Sequence, residues 1–475
     1  MKELSIHGPC TQYFSLTTLL SLLPGLTHLT IKLTYLYGHI GSDYHKSVSD
    51  TIHRNIQSDN DDNDKIYNLV FLSLDSEFRR DFHIKEIVKR CPRLKYFMVS
   101  KYTTYEYLKE SPIEFAHIFQ LCPSIRCIYW GKETVLDTIK KEWLTLSIRE
   151  DTDNEDNNDY EKEGVNHLRQ VGFYSNNKEH LIAAVTACLK QSSSLEQLHL
   201  SGYFRIDLFQ LWHRFKQWNS NLLSHPSKLK SLELDRFHVP NLTENYTFSQ
   251  DLFIYFQNIE RLKLKFFIRP ADGSVDEKQQ YMRKVIEAIG HQLHQLRYLD
   301  LELAMYHKRF TTISLCDNLM TTLCYWNQKL EILRLRNVLI SNDMLLDLCQ
   351  HPNLHTLDLA GYRLINRLTE DGWILFARKL KEQEQNGYIP GRFQSILLSC
   401  SWRDDITDEV LEEFAGIKSL KTLRIAFNEK ISNAGVSKFT GINSSISEKH
   451  KIIELDTCRQ ITLDDPHVIF IHPYF

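Results

Sequence analysis

One arrangement of apolar positions recurs along the chain: an aliphatic residue, two others, an aliphatic, one other, an aliphatic. The clearest copies are Leu195-x-x-Leu198-x-Leu200, Leu229-x-x-Leu232-x-Leu234, Leu296-x-x-Leu299-x-Leu301, Leu330-x-x-Leu333-x-Leu335 and Leu354-x-x-Leu357-x-Leu359. Looser copies are Leu26/Leu29/Ile31, Leu69/Leu72/Leu74, Leu94/Phe97/Val99, Ile259/Leu262/Leu264 and Leu420/Leu423/Ile425. Weaker ones are Ile125/Ile128/Trp130, Leu168/Val171/Phe173, Phe393/Ile396/Leu398 and Ile452/Leu455/Thr457. Successive copies lie 24 to 43 residues apart, about 33 on average. The last two aliphatics of each copy stand two apart and so share one face of a strand. Leu4 and Ile6 begin the chain in the same way. Between copies the period becomes helical. Ser341 can cap a helix that carries Asp343 in its first turn. Thr369-Glu370-Asp371 opens another, with Ile374, Ala377 and Leu380 at helical spacing and Gly387 placed to end it.

Strand, loop, helix and loop at this period form the pattern of the leucine-rich repeat. One unit cannot bury its apolar face alone, whereas stacked units share a core. The expected fold is therefore an α/β leucine-rich repeat solenoid: a curved horseshoe with a parallel sheet on the concave face and helices on the convex face. It is expected to run through residues 1–475 as one domain of about 14–15 irregular repeats. Ordinary α/β domains also alternate strands with helices, but fourteen copies of one signature without a phosphate-binding glycine loop weigh against them. Two acidic, polar insertions, 42–65 and 150–164, are too hydrophilic to pack and read as solvated loops. The first lacks the glycine and distal glutamate of a calcium loop. The segment Asp464 to His472 is expected to close the stack.

Finer features point to one branch of these proteins. Helices end in Cys-Pro or His-Pro before the next strand, at Cys91-Pro92, Cys122-Pro123 and His351-Pro352, with Leu23-Pro24 similar. Proline cannot continue a helix. Several strands are followed by an Ile-Thr/Ser-Asp/Asn turn: Ile340-Ser341-Asn342, Ile406-Thr407-Asp408, Ile431-Ser432-Asn433 and, in part, Ile461-Thr462. Cys400 and Cys458 precede two of these turns. The chain thus resembles the cysteine-containing, ribonuclease-inhibitor-like leucine-rich repeats of F-box proteins, most specifically from about Leu330 to Thr462. The resemblance implies a substrate-recognition subunit of a cullin-RING (SCF-type) ubiquitin ligase that holds a protein on its concave face. In that family an N-terminal F-box joins the ligase adaptor. No F-box-like Leu-Pro-x-Glu helix precedes the first repeat here.

Composition narrows the remaining chemistry. With 57 Lys+Arg against 60 Asp+Glu, the net charge of −3 offers no global field for nucleic acid or a membrane surface. No apolar run is long enough for a spanning helix, and the N-terminus lacks a signal-peptide core. Reduced thiols in the cytoplasm or nucleus are therefore expected for the ten cysteines. The glycosylation-like Asn241-Leu-Thr243 and Asn245-Tyr-Thr247 then read as chance matches. Walker, H-E-x-x-H, C-x-x-C and G-x-S-x-G motifs are missing. Cys122/Cys127 and His291/His294 are poorly spaced for a metal and read as buried repeat cysteines and an exposed helix end. A non-enzyme without cofactor or metal is expected.

Recognition is then expected from residues between the aliphatics, which face away from the core. The middle position reads His199, Glu233, Lys263, Asp300, Arg334, Asp358, Leu397, Arg424 and Asp456. The position after the third aliphatic reads Ser201, Asp235, Lys265, Glu302, Arg336 and Ala360. Charges alternate between neighbouring strands, which can stabilise the sheet, match a protein partner, or do both. Arg261 and Tyr298, just before the second aliphatic, add reach. The earlier half is more aromatic, with Tyr96, Tyr129 and Tyr174. The expected assembly is a monomer bound to a protein, with neither nucleic acid nor membrane. A free-standing scaffold with no ubiquitin link is the alternative.

Overall fold

The computed structural model describes residues 1–10, 16–35, 66–76, 88–99, 121–122, 124–130, 168–174, 195–201, 208–209, 227–240, 253, 256–268, 274–305, 325, 327–361, 368–387, 393–400, 405–441, 451–458, 460–463 and 465–471. The two acidic insertions lie outside these residues. The chain divides into two compact units, Met1–Phe204 and Arg205–Phe475.

The first unit carries seven strands: β1 (Glu3–Cys10), β2 (His28–Tyr35), β3 (Phe71–Ser76), β4 (Tyr96–Val99), β5 (Cys127–Trp130), β6 (Gln170–Tyr174) and β7 (Gln197–Ser201), with helix α1 (Leu16–Leu22) after the first. Each strand pairs in parallel with the next. The second unit carries β8 (Ser231–His238), β9 (Arg261–Ile268), β10 (Tyr298–Met305), β11 (Ile332–Arg336), β12 (Thr356–Gly361), β13 (Ser395–Cys400), β14 (Thr422–Ala426), β15 (Ile452–Asp456) and β16 (Val468–Ile471). These too pair in parallel in chain order. Its described helices are α2 (Val275–Gln292), α3 (Asn342–Leu348), α4 (Glu370–Gln385), α5 (Asp408–Ala415) and α6 (Asn433–Thr440). Sequential parallel strands joined by helical connections are the architecture of a leucine-rich repeat solenoid.

The aliphatic signature sets the register. In β9, Leu262, Leu264, Phe266 and Ile268 are buried while Arg261, Lys263 and Lys265 face outward, the alternation a one-sided sheet requires. Under the sheet of the second unit, Trp373 is fully buried, edge-on to Phe376 at 5.9 Å and Phe414 at 6.0 Å, and donates from Nε1 to Asp405 at 2.8 Å.

Two hydrogen-bond ladders stack the repeats. At the entries of most described strands, two consecutive N–H groups donate to one carbonyl of the preceding repeat. Lys95 and Tyr96 bond Val70 O, Arg126 and Cys127 bond Lys95 O, and Arg169 and Gln170 bond Arg126 O. On the helical side, the first helical residue of one repeat bonds the N-cap of the next. Asn342 accepts from Thr369 N–H at 3.1 Å, Glu370 accepts from the Thr407 hydroxyl, and Asp408 accepts from Ser432 N–H at 2.7 Å; Asn433 likewise accepts from Thr462 N–H at 3.0 Å, in a turn that no described helix follows. The recurring Thr/Ser-Asp/Asn turn is thus a cap with a side chain left over for its neighbour.

The expected helix signals are in place. Ser341 and Thr369 accept from Met344 and Gly372 N–H, and Gly387 follows α4 at φ 73. The C-terminal apolar stretch forms β16. One repeat differs from its reading: β15 buries Ile453 and Leu455, not Ile452 and Thr457. Pairing with β14 sets Ile453 opposite Leu423 and Leu455 opposite Ile425, so the second and third apolar places of the motif lie two residues earlier than the sequence reading put them. The residue aligned with Arg424 is therefore Glu454 rather than Asp456.

Candidate functional site

The open face of the sheet is where sequence reading placed recognition, and the register brings most of those residues side by side. Across β8 to β12 the middle row runs Glu233, Lys263, Asp300, Arg334, Asp358, and the next row Asp235, Lys265, Glu302, Arg336, Ala360. Neighbouring strands in such a sheet stand about 4.8 Å apart, so the charges meet. Lys263 bonds Glu233, Lys265 lies 2.7 Å from Glu302, and Arg334 Nε lies 3.2 Å from Asp358. Arg336 reaches diagonally to Asp300 at 3.7 Å. Beyond Leu397, Arg424 pairs with Glu454 at 2.5 Å.

Tyr298 anchors the centre. It is 9% exposed, donates to Asp300 Oδ2 at 3.3 Å and accepts from Arg334 Nη1 at 2.9 Å. The Arg261 guanidinium lies 4.2 Å from its ring centroid. Asp300 is only 1% exposed and Asp358 7%. Burial is the largest influence on both and raises their pKa values, although Arg336, Lys263 and Arg334 pull Asp300 down and Arg334 and Arg336 pull Asp358 down. Burial pushes Lys263 the other way, but Glu233, Asp300 and Asp235 together hold it above its usual value. Among the described side chains of these strands, five acids (Glu233, Asp235, Asp300, Glu302, Asp358) face five cations (Arg261, Lys263, Lys265, Arg334, Arg336). The cluster is therefore a rigid, charge-balanced surface, not an anion funnel.

In the first unit, Tyr96 stands on β4 at 37% exposure, 6.1 Å from Phe71, which stacks on His28 at 6.0 Å. Tyr129 on β5 and His199 on β7 are separated by β6, yet their rings approach to 5.5 Å. Gly172 on β6 makes this possible: a Cβ there would lie 2.2 Å from Tyr129 Cδ2, so the ring lies across the glycine. Tyr174 ends β6; its side chain is outside the described residues. Sequence reading missed Gly172, whose role exists only with a long side chain on the preceding strand.

Cys91, Cys122, Cys127, Cys349 and Cys458 are free and buried. Burial pushes Cys91 and Cys122 to about 12 and Cys127 to about 11. Cys122 Sγ donates to Cys91 O at 3.3 Å, which satisfies a carbonyl at a repeat junction. His351 does the same work as an imidazole: Nδ1 accepts from Asn353 and Leu354 N–H, which leaves Nε2 to donate to Asn327 O at 3.0 Å. Among the described residues no group of three or more His, Cys, Asp or Glu could hold a metal ion, and no helix is long and apolar enough to cross a membrane.

The fold is that of a leucine-rich repeat solenoid, strands and helices alternating in chain order from β11 to β15. No family model matches the sequence, and no curated protein is significantly similar to it. The solved structures it is similar to include that of TLR13 in complex with ssRNA13, at 13% identity and a TM-score of 0.39, over 99% of this chain and 67% of TLR13.

Proposed function

We propose that this chain is a non-enzymatic protein-recognition module whose open sheet face around Tyr298 binds a partner protein. The supporting observation is the arrangement of Arg261, Tyr298, Asp300 and Arg334. An aromatic ring and guanidinium groups, the residue types enriched at binding hot spots, are held together: Tyr298 is hydrogen-bonded to Asp300 and Arg334, and Arg261 lies over its ring. Such preorganisation lowers the entropic cost of association. In its finer form the reading is that of a substrate receptor for a cullin-RING ubiquitin ligase, acting in the cytoplasm or nucleus. Its support is the run of capped turns and Cys/His helix ends from Leu330 to Thr462.

The test is affinity purification of the endogenous protein, wild type against Arg261→Ala, with mass spectrometry of co-eluting proteins. Partners lost from Arg261→Ala support recognition at this face; an unchanged set from a folded variant removes it. Co-elution of a cullin adaptor supports the ligase reading. Stable partners without one leave a free-standing scaffold.

A further inference from the structure

The residue directly after the first aliphatic of each repeat sits at the N-terminal lip of the sheet, at one end of the open face. On β8 to β12 of the second unit this position reads Lys230, Glu260, Arg297, Glu331, His355, and Arg297 donates to Glu331 at 3.1 Å; Gln394, Lys421 and Lys451 follow on β13 to β15. In the first unit the same position reads Val70, Lys95, Arg126, Arg169, Glu196 from β3 to β7, so three cations fall on consecutive strands before an acid follows. Each N–H donates to the carbonyl of its predecessor at 2.8 Å, so the three α-carbons stack at about the strand spacing of 4.8 Å. Arg126 and Arg169 are exposed and Lys95 half-exposed. None of the three side chains has an ion-pair or hydrogen-bond partner among the described residues. Like charges side by side in a sheet destabilise it, and β8 to β12 avoid that by alternating sign.

We propose that this basic lip is a docking strip for an acidic segment of a partner protein, one that carries an apolar side chain beside its carboxylates. The carboxylates pair with Lys95, Arg126 and Arg169. The apolar side chain rests on Tyr96, which follows Lys95 and is the most exposed of the neighbouring rings. The spacing suits this occupant. Carboxylates three or four apart on a helix lie about 5–6 Å from one another, a separation that flexible Lys and Arg side chains on adjacent strands can span. A single-stranded nucleic acid fits less well, because it binds through bases stacked on free aromatic faces. Here Phe71 lies between His28 and Tyr96, with its ring turned to each of them. This strip is separate from the Tyr298 cluster and stands or falls without it.

The experiment measures fluorescence anisotropy of a short labelled peptide, glutamates around one phenylalanine, titrated with the full chain at low and physiological salt. Binding that weakens with salt is expected. Lys95→Glu with Arg126→Glu and Arg169→Glu should weaken it at least about tenfold and remove most of the salt dependence. Should that variant lose its fold by circular dichroism, Arg126→Gln with Arg169→Gln keeps the lip uncharged at two positions and should still weaken binding several-fold. Arg297→Gln and Arg261→Ala should leave it unchanged. No binding by the wild type at low salt, or equal binding by a folded lip variant, overturns the proposal. So does a single-stranded oligonucleotide that displaces the peptide and loses affinity in the same variants, which would assign the strip to nucleic acid.

Discussion

Gly435→Ala is expected to destabilise the second unit, although helix propensity alone says the opposite. Gly435 is the third residue of α6, its φ is not positive, and alanine at a helical position is favoured over glycine by about 1 kcal/mol. The obstacle is in the preceding repeat. A Cβ on Gly435 would lie 2.1 Å from Asp408 Oδ1, 2.5 Å from its Cγ and 3.0 Å from its Cβ. Asp408 cannot step aside cheaply, because Oδ1 accepts from Ser432 N–H at 2.7 Å and Oδ2 from the Ser432 hydroxyl at 2.5 Å. Hydrogen bonds to a charged group contribute about 1.5–3 kcal/mol each. Because Ser432 is only part-buried and water can replace the carboxylate, the lower figure applies, or about 3 kcal/mol for both. Set against the propensity gain, the net loss is about 2 kcal/mol, or roughly 4–8 °C in Tm for a unit of this size. Urea titration of wild type, Gly435→Ala, Asp408→Ala and the double variant isolates the cause. In the Asp408→Ala background the carboxylate is gone, and Gly435→Ala should become neutral or stabilising, a coupling of about 3 kcal/mol. A Gly435→Ala protein more stable than wild type, or a loss of equal size in both backgrounds, would refute the argument.

Other outcomes follow from the same geometry. Cys91, Cys122 and Cys127, with thiols pushed to about 12, 12 and 11 by burial, should resist iodoacetamide at pH 8 in the folded protein and react after urea unfolding; site-resolved mass spectrometry reads both states, and rapid native labelling of any of them contradicts the packing. Asp300 has a folded-state pKa raised above 3.8, so the folded chain holds its proton more tightly than the unfolded one. The stability advantage of wild type over Asp300→Asn should therefore be fullest below pH 3.8 and shrink as pH rises through the range just above it; an advantage that grows with pH would mark an ion-pair-held carboxylate instead. Gly172→Ala should expel the Tyr129 ring from β6 and cost about 0.5–1.5 kcal/mol, the value of an aromatic pair, and loss of the Tyr129–His199 ring-current shift in NMR spectra would report it; an unchanged shift would place the ring elsewhere.

The strands were legible because burial on one face forces a two-residue period, and nearly every step of that period is written in Leu, Ile, Val or Phe. The alternating ladder from Glu233 to Asp358 was legible for the same reason, since register follows from the aliphatics. What sequence left open was whether those charges stabilise the sheet or bind a partner, and the structure shows most of them engaged with one another: reversing Lys263, Lys265, Arg334 and Arg336 together would set like charges against buried Asp300 and Asp358 and unfold the face before testing any interface. Arg261 is the better probe, because it is exposed and bound only to a ring. Gly172, Gly372 and Gly435 were not legible, because each is small for the sake of a side chain in the preceding repeat, Tyr129, Asn342 or Asp408, between 27 and 43 residues earlier. The basic lip was written plainly, as Leu94-Lys95, Ile125-Arg126 and Leu168-Arg169, but it gains meaning only by contrast. The position after the first aliphatic alternates in sign from β8 to β12, whereas on β4, β5 and β6 it repeats one sign. A surface whose charges are matched is committed to its own fold, and a surface whose charges are not is available to something else.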